Sequence, residues 1–356
     1  YLLHLKTGPG GVSMVFTNGK ISARQMQSLI ILWIFSSALI GMPSAAVYNI
    51  YSVLIGAGIV LAECLLICYA EKRLNGNEKY QRLTAMLAGI SMIIYAGINI
   101  KLLCGAVSIF LLPNTPAWII ALVFALAALY MAVLGSQAVG RSAELFLIIV
   151  GVNAVISAVL CLSDAGEGLL TSAFSITNQN VLLNGLKCAC MFGGAQALYV
   201  LLPYTDGEEK TKKAVYAVLI SVVAVVFFTY TAVSKFGIND TAARVYPALN
   251  IMDTVSLPFI FGDKQDVFML RMWMFAVFAA VGFGVFSCGR VFSRSKTAYP
   301  HTIISAVIAL TVSFIPQDIN GAVQMLYTAG EISLIVFGVI LPAISLTIGT
   351  KGGSRE

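Results

Sequence analysis

Charge is what this chain has least of. Asp, Glu, Lys and Arg together make up 11% of its 356 residues, against 59% hydrophobic ones. Soluble domains hold roughly 25% charged and about 45–50% apolar residues. With a mean hydropathy of +0.89, the chain is excluded from the water-soluble globular class and reads as an integral membrane protein in a lipid bilayer. Nucleic acid is excluded as a partner, because that would need basic residues gathered on one soluble face. Histidine is almost missing as well: His4 and His301 are the only two, both near the ends of their segments. No nucleophile-base arrangement, phosphate loop or metal-ligand cluster occurs, so neither catalysis, nor a metal, nor a cofactor is expected. The seven cysteines, Cys64, Cys68, Cys104, Cys161, Cys188, Cys190 and Cys288, all fall in apolar stretches. The spacing Cys188-x-Cys190 matches no common metal motif, and the set reads as reduced packing residues.

What the chain has instead is ten long apolar stretches, at about 25–48, 50–70, 83–111, 117–136, 143–163, 186–204, 213–235, 267–290, 300–315 and 321–348. Most have the roughly 20 residues that a helix needs to cross a bilayer; the ninth is short, and the third is long enough to tilt. The connecting loops are asymmetric in charge. Lys20, Arg24, Lys72, Arg73, Lys79, Arg82, Arg141, Lys210, Lys212, Lys213, Arg290, Arg294, Lys296, Lys351 and Arg355 fall on one side, whereas the other holds few, chiefly Lys187, Arg244 and Lys264. By the positive-inside rule both termini are cytoplasmic, and the net charge of +6 is a topology signal. Residues 1–13 precede Met14 without the apolar core of a signal peptide, and read as a leader with no function assigned.

Two stretches are interrupted. The first stalls at Ser36-Ser37-Ala38-Leu39-Ile40-Gly41-Met42-Pro43, and the sixth carries Gly193-Gly194 with Gln196 close behind. Pro43 offers no backbone donor to the carbonyl of Leu39, and glycine lowers the cost of leaving helical dihedrals, so both helices are expected to open there. Bare backbone survives inside a bilayer only where it lines a cavity or ligand. Two breaks separated by five spans are the pattern of a 5+5 inverted repeat, with the broken helix first in each unit. The expected division is a segment 1–20, a first repeat 21–163, an outer loop 164–185, a second repeat 186–348 with an outer lid at about 236–266, and a tail 349–356.

Local sequence narrows this further. Lys20-Ile21-Ser22-Ala23-Arg24-Gln25 leads into span one, and Gly140-Arg141-Ser142-Ala143-Glu144-Leu145-Phe146 opens span five. Tyr246-Pro247-Ala248-Leu249 and Leu257-Pro258-Phe259-Ile260 come before span eight. In order and placement these resemble the spore germination permease family, the B subunits of germinant receptors. That family is a branch of the amino acid, polyamine and organocation superfamily, whose fold is leucine-transporter-like. The chain departs from the family pattern at Asn49 and Tyr51, where members often carry an acidic residue and a tryptophan, and at Gly262-Asp263-Lys264-Gln265-Asp266. The resemblance implies an all-α membrane protein of about ten spans in the spore inner membrane, with A and C subunits as partners and a nutrient, an amino acid first, as ligand. It also implies that signalling germination is its role; a proton-coupled amino-acid permease and a non-binding scaffold are the alternatives. No Ser or Thr occurs from Met274 to Phe286, where related transporters draw hydroxyls for sodium, so sodium coupling is not expected.

Within the resembled fold the ligand lies between the two breaks. Its carboxylate would meet amides near Ser37 to Gly41, and its ammonium freed carbonyls around Phe35, Ser36 and Met191 to Gly193. Close helix packing is the other use of small residues such as Gly41, Gly193 and Gly194. Phe192 resembles the aromatic gate of the superfamily. Ser91, Tyr95 and Asn99 on span three, and Asn153, Ser157 and Cys161 on span five, form polar stripes that either line the site or bond neighbouring helices. Gln324, Tyr327, Thr328 and Glu331 make a polar face on span ten. Lys101 and Glu331 lie at similar depth with opposite charge and are the candidate outer gate, with a snorkelling Lys101 as the alternative. Glu63 has no evident partner and reads as structural; Arg141 and Glu144 read as a local helix-start pair.

Overall fold

The computed structural model describes residues 20–44, 50–73, 78–164, 180–193, 195–206, 209–251, 266–293 and 299–345. The helices are α1 (Ala23–Ser44), α2 (Ile50–Arg73), α3 (Glu78–Phe110), α4 (Ala117–Val133), α5 (Ser136–Asp164), α6 (Val181–Phe192) and α7 (Ala197–Tyr204). They continue with α8 (Lys210–Ala243), α9 (Asp266–Phe292), α10 (Tyr299–Ser313) and α11 (Ile319–Ser333), the last running straight into a π-helical segment, Leu334–Ile340. Among the described residues, seven helices are long and apolar enough to cross a membrane, or eight if the bent pair α6 and α7 is one span. Two shorter apolar helices, α4 and α10, stand where spans four and nine are expected.

The interior belongs to α1, α3 and α9. α1 packs on α8, α9, α5 and α6, and α3 on α9, α10 and α11. A helix apolar all round must be covered all round, and α1 is: Ile30, Leu32, Trp33, Ile34 and Ala38 are all buried. α5 is peripheral, presenting Val152, Val155, Ile156 and Val159 outward, as expected of a lipid-facing helix.

Span one is not broken at Ser37 to Gly41. α1 is helical without interruption from Ala23 to Ser44, so neither Gly41 nor Pro43, in its final turn, interrupts it. The neighbours of α1 use its polar groups laterally. Trp273 Nε1 on α9 donates to the Ser36 carbonyl at 2.7 Å, and Asn99 Nδ2 on α3 donates to Ser37 Oγ at 3.1 Å.

Of the expected outer lid at about 236–266, the structure describes residues 236–251 and 266. α8 kinks at Gly237, whose φ of 77° suits glycine, and runs on to Ala243; Arg244 then lies over the Phe236 ring at 4.0 Å. Beyond it the chain turns inward. Tyr246, Pro247, Ala248 and Leu249 are buried, and Tyr246 donates to the Leu102 carbonyl at 2.8 Å while its ring stands 6.3 Å from that of Trp273. Burial pushes the Tyr246 phenol above its ordinary range. This segment is a plug in the bundle, since a buried tyrosine needs a partner for its hydroxyl and the α3 backbone supplies one. Met252 and Leu257 to Ile260 lie outside the described residues.

At the basic end, Ile21–Ser22 (β1) pairs in parallel with Thr205–Asp206 (β2), Ile21 opposite Thr205. Ser22 caps α1: its Oγ accepts from the Gln25 amide at 3.1 Å, and Gln25 Oε1 accepts from the Ser22 amide at 3.0 Å, a capping box. Lys20 pairs with Asp206 at 2.8 Å, and Gln137 donates to the Lys20 carbonyl. Gly140 opening span five lies against Gln25. Glu144 faces Arg24 at 3.9 Å, so it pairs across helices and not with Arg141.

Candidate functional site

The break in span six is present. α6 ends at Phe192, Gly193 takes left-handed dihedrals (φ 35°, ψ 70°), and α7 starts at Ala197 at 49° to α6. Gly194 lies outside the described residues. A Cβ on Gly193 would stand 2.8 Å from Tyr95 Cε1 and 2.9 Å from Tyr95 Oη. Side chains rarely adopt that backbone conformation, and here there is no room for one either.

Around this break four elements meet. Ser333 on α11 donates to Gln196 Oε1 at 2.9 Å. Tyr95 is fully buried, and its hydroxyl faces Ser333 and Gln196 without hydrogen-bond geometry to either. Asn99, one turn along α3, reaches Ser37. Ser36 turns its own Oγ back to the Trp33 carbonyl at 2.7 Å. Trp33 and Tyr95 have ring centroids 6.0 Å apart. Among the described residues Tyr95 Oη, Gln196 Nε2, Asn99 Oδ1 and Trp33 Nε1 are buried without a hydrogen-bond partner. Each such group costs about 1–3 kcal/mol, so four in one neighbourhood constitute unspent capacity for polar recognition.

The structure therefore gathers Ser36, Ser37, Tyr95, Asn99, Phe192 and Gly193. Gly41 lies close by, where an added Cβ would stand 2.9 Å from Met191 Sδ of α6. Asn153 is not brought in: its Nδ2 donates to Ile149 of its own helix at 2.7 Å. Ser157 is buried on α5 with an unpaired hydroxyl. The gate pair does not form. Lys101 Nζ donates to the Gln317 carbonyl at 3.4 Å, just before α11 begins. Glu331 is 12 residues further on, about 18 Å along the helix from Ile319, on the Cys190 side of the bundle. The polar face of span ten points away from the core: Gln324 and Thr328 are exposed, whereas Ala322, Leu326, Gly330 and Ser333 are buried. Gly330 lies directly on the Cys190 carbonyl.

Ser333, Gln196, Trp33 and Trp273 are site residues that polar spacing alone does not find. The buried face of α11 is a stripe of small and apolar residues, and the one hydroxyl on it is the signal for Ser333.

This architecture has known counterparts. It matches MhsT in complex with L-phenylalanine at a TM-score of 0.61 over 93% of this chain and 99% of that one, with 14% identity. A Na+-coupled sialic acid symporter in a substrate-bound outward-open state matches at 0.60 over 94% and 90%, with 12% identity. These likenesses define the class: an all-α, multi-pass membrane protein of leucine-transporter-like fold. Residues 20–322 match the family model described as spore germination protein, and the chain belongs to that family. Spore germination protein YndE of Bacillus subtilis (strain 168) is 24% identical over 261 residues, 70% of this chain and 69% of that one. Spore germination protein B2 of the same organism is 22% identical over 259 residues, 67% of each.

Proposed function

We propose that this chain is the nutrient-binding membrane subunit of a germinant receptor, taking a small nutrient, an amino acid first, at the break of span six. The observation that carries the proposal is the convergence of Tyr95, Asn99, Gln196 and Ser333 on the left-handed Gly193, with unpaired donors and acceptors among them. Of the expected ligand residues, Ser36, Ser37, Gly41, Tyr95, Asn99, Phe192 and Gly193 belong to this centre; Gly194 lies outside the described residues. Asn153 and Ser157 on α5 belong to the helix packing around it. Because α1 is unbroken, recognition rests on side chains and on the α6 and α7 ends, and less on opened backbone in span one.

Tyr95 closes the break by lying against Gly193, so ligand entry requires its ring to move. The rest of the reading follows the family: residence in the spore inner membrane, both termini cytoplasmic, and A and C subunits that carry the signal onward. A thermal-shift screen of the purified protein against amino acids, sugars and nucleosides tests it. The expected result is stabilisation by an amino acid, lost in Gln196→Ala, with no uptake into liposomes. Uptake would identify a permease, and silence across the panel with intact germination would identify a scaffold.

A further inference from the structure

We propose that Glu63 is a proton-binding site in the middle of the membrane, held neutral beside the π-helical segment of span ten. This inference does not rest on the nutrient reading. Glu63 is 6% exposed and sits 13 residues from the start of α2 and 10 from its end, about 20 Å and 15 Å along the helix. Among the described residues no Lys or Arg pairs with its carboxylate and no hydrogen-bond donor reaches it. The titratable groups that face it are Cys64 on α2, Tyr95 on α3, Cys190 on α6 and Tyr199 on α7, all neutral near pH 7 at their ordinary values. The charged groups packed around α2 stand elsewhere. Glu71, two turns further on, takes Gln81 and Lys210; Lys72 lies near Cys68; and Glu331 faces Cys190 from α11.

An ionised carboxylate there would have neither counter-charge nor donor, a cost of several kcal/mol that a bound proton removes. The surroundings suit the neutral form. Gly338 of the π-helical segment lies on the acid, and a Cβ there would stand 3.2 Å from Glu63 Cγ and 3.5 Å from Oε1. Leu334–Ile340 carries no titratable side chain. π-helical turns recur at functional sites because they displace the helix register and present a widened backbone. Here the neighbouring carbonyl, Phe337 O, accepts from Tyr199 of α7 at 3.3 Å. The acid thus touches a segment that is bonded to α7, the second half of broken span six. The proton comes from water as COO⁻ becomes COOH and returns to water on release, so nothing else is consumed.

Infrared difference spectroscopy of the full chain in liposomes tests this. The wild type at pH 7 is expected to show a protonated-carboxyl C=O stretch that disappears in Glu63→Gln, a neutral isostere. An identical carboxyl band in both proteins would overturn the proposal. A thermal melt gives the second reading. If the folded chain holds a proton that the unfolded chain has released, wild-type stability falls as pH rises through neutrality. Glu63→Gln would lack that part of the slope, and equal slopes would count against the site. Should Glu63→Gln not fold, Glu63→Asp keeps the acid but shifts its band, and an unshifted band would again overturn the assignment.

Discussion

Ser333 and Gln196, 137 positions apart in the chain, share a buried hydrogen bond of 2.9 Å that fastens span ten to the turn joining the two halves of span six. Removing either partner strands the other. Ser333→Ala and Gln196→Ala are each expected to cost about 1–3 kcal/mol. The double variant should cost less than their sum, with a coupling of about 0.5–3 kcal/mol in thermal or denaturant unfolding of the purified protein. Additive losses would separate the two residues.

Gly193 is expected to resist any side chain. Gly193→Ala meets a dihedral cost of about 1–2 kcal/mol and a contact with the Tyr95 ring at 2.8 Å. Tyr95→Ala in the same chain should relieve the contact while the dihedral cost remains, so melting temperature recovers only in part. Full stability of Gly193→Ala alone would mean that the break is not left-handed.

Lys101 and Glu331 should behave as strangers. Because Lys101 reaches the Gln317 carbonyl and no ion pair joins it to Glu331, Lys101→Met and Glu331→Gln are expected to add within about 0.5 kcal/mol. A coupling well above that, read in the same unfolding assay, would restore the gate.

At the basic end, the cap of α1 should matter more than its ion pair. Ser22→Ala is expected to cost about 1 kcal/mol, the usual worth of such a cap. Lys20 and Asp206 have side chains 59% and 66% exposed. Lys20→Met should therefore cost at most about 1 kcal/mol, and less in high salt. A large, salt-independent loss in Lys20→Met would contradict this ranking.

Much of the architecture is legible because bilayers reward long apolar runs so plainly. Expected spans 117–136 and 267–290 are found as Ala117–Val133 and Asp266–Phe292. The Gly193 break is legible because glycine has a local conformational signature. Gly41 and Pro43 carry the same signature, yet α1 stays whole: it is enclosed by α8, α9, α5 and α6, and tertiary packing that overrides local propensity is invisible until helices are placed. The expected gate pair is absent for a geometric reason. Measured from helix ends the two residues share a depth, but α3 has 33 residues and spans about 50 Å. Lys101, nine residues before its end, is already level with the start of α11. Helix ends in a tilted bundle do not lie in one plane.

The two-residue pairing of Ile21–Ser22 with Thr205–Asp206 determines where motion can go. It staples the foot of α1 to the foot of α7, so these two helices form a closed frame at the basic end. α7 spans eight residues, about 12 Å, too short a lever to move while its foot is tied. Gly193 separates α7 from the other arm, α6, which packs against α2. On the proposed function, a ligand at this centre acts through the contact of α6 with α2.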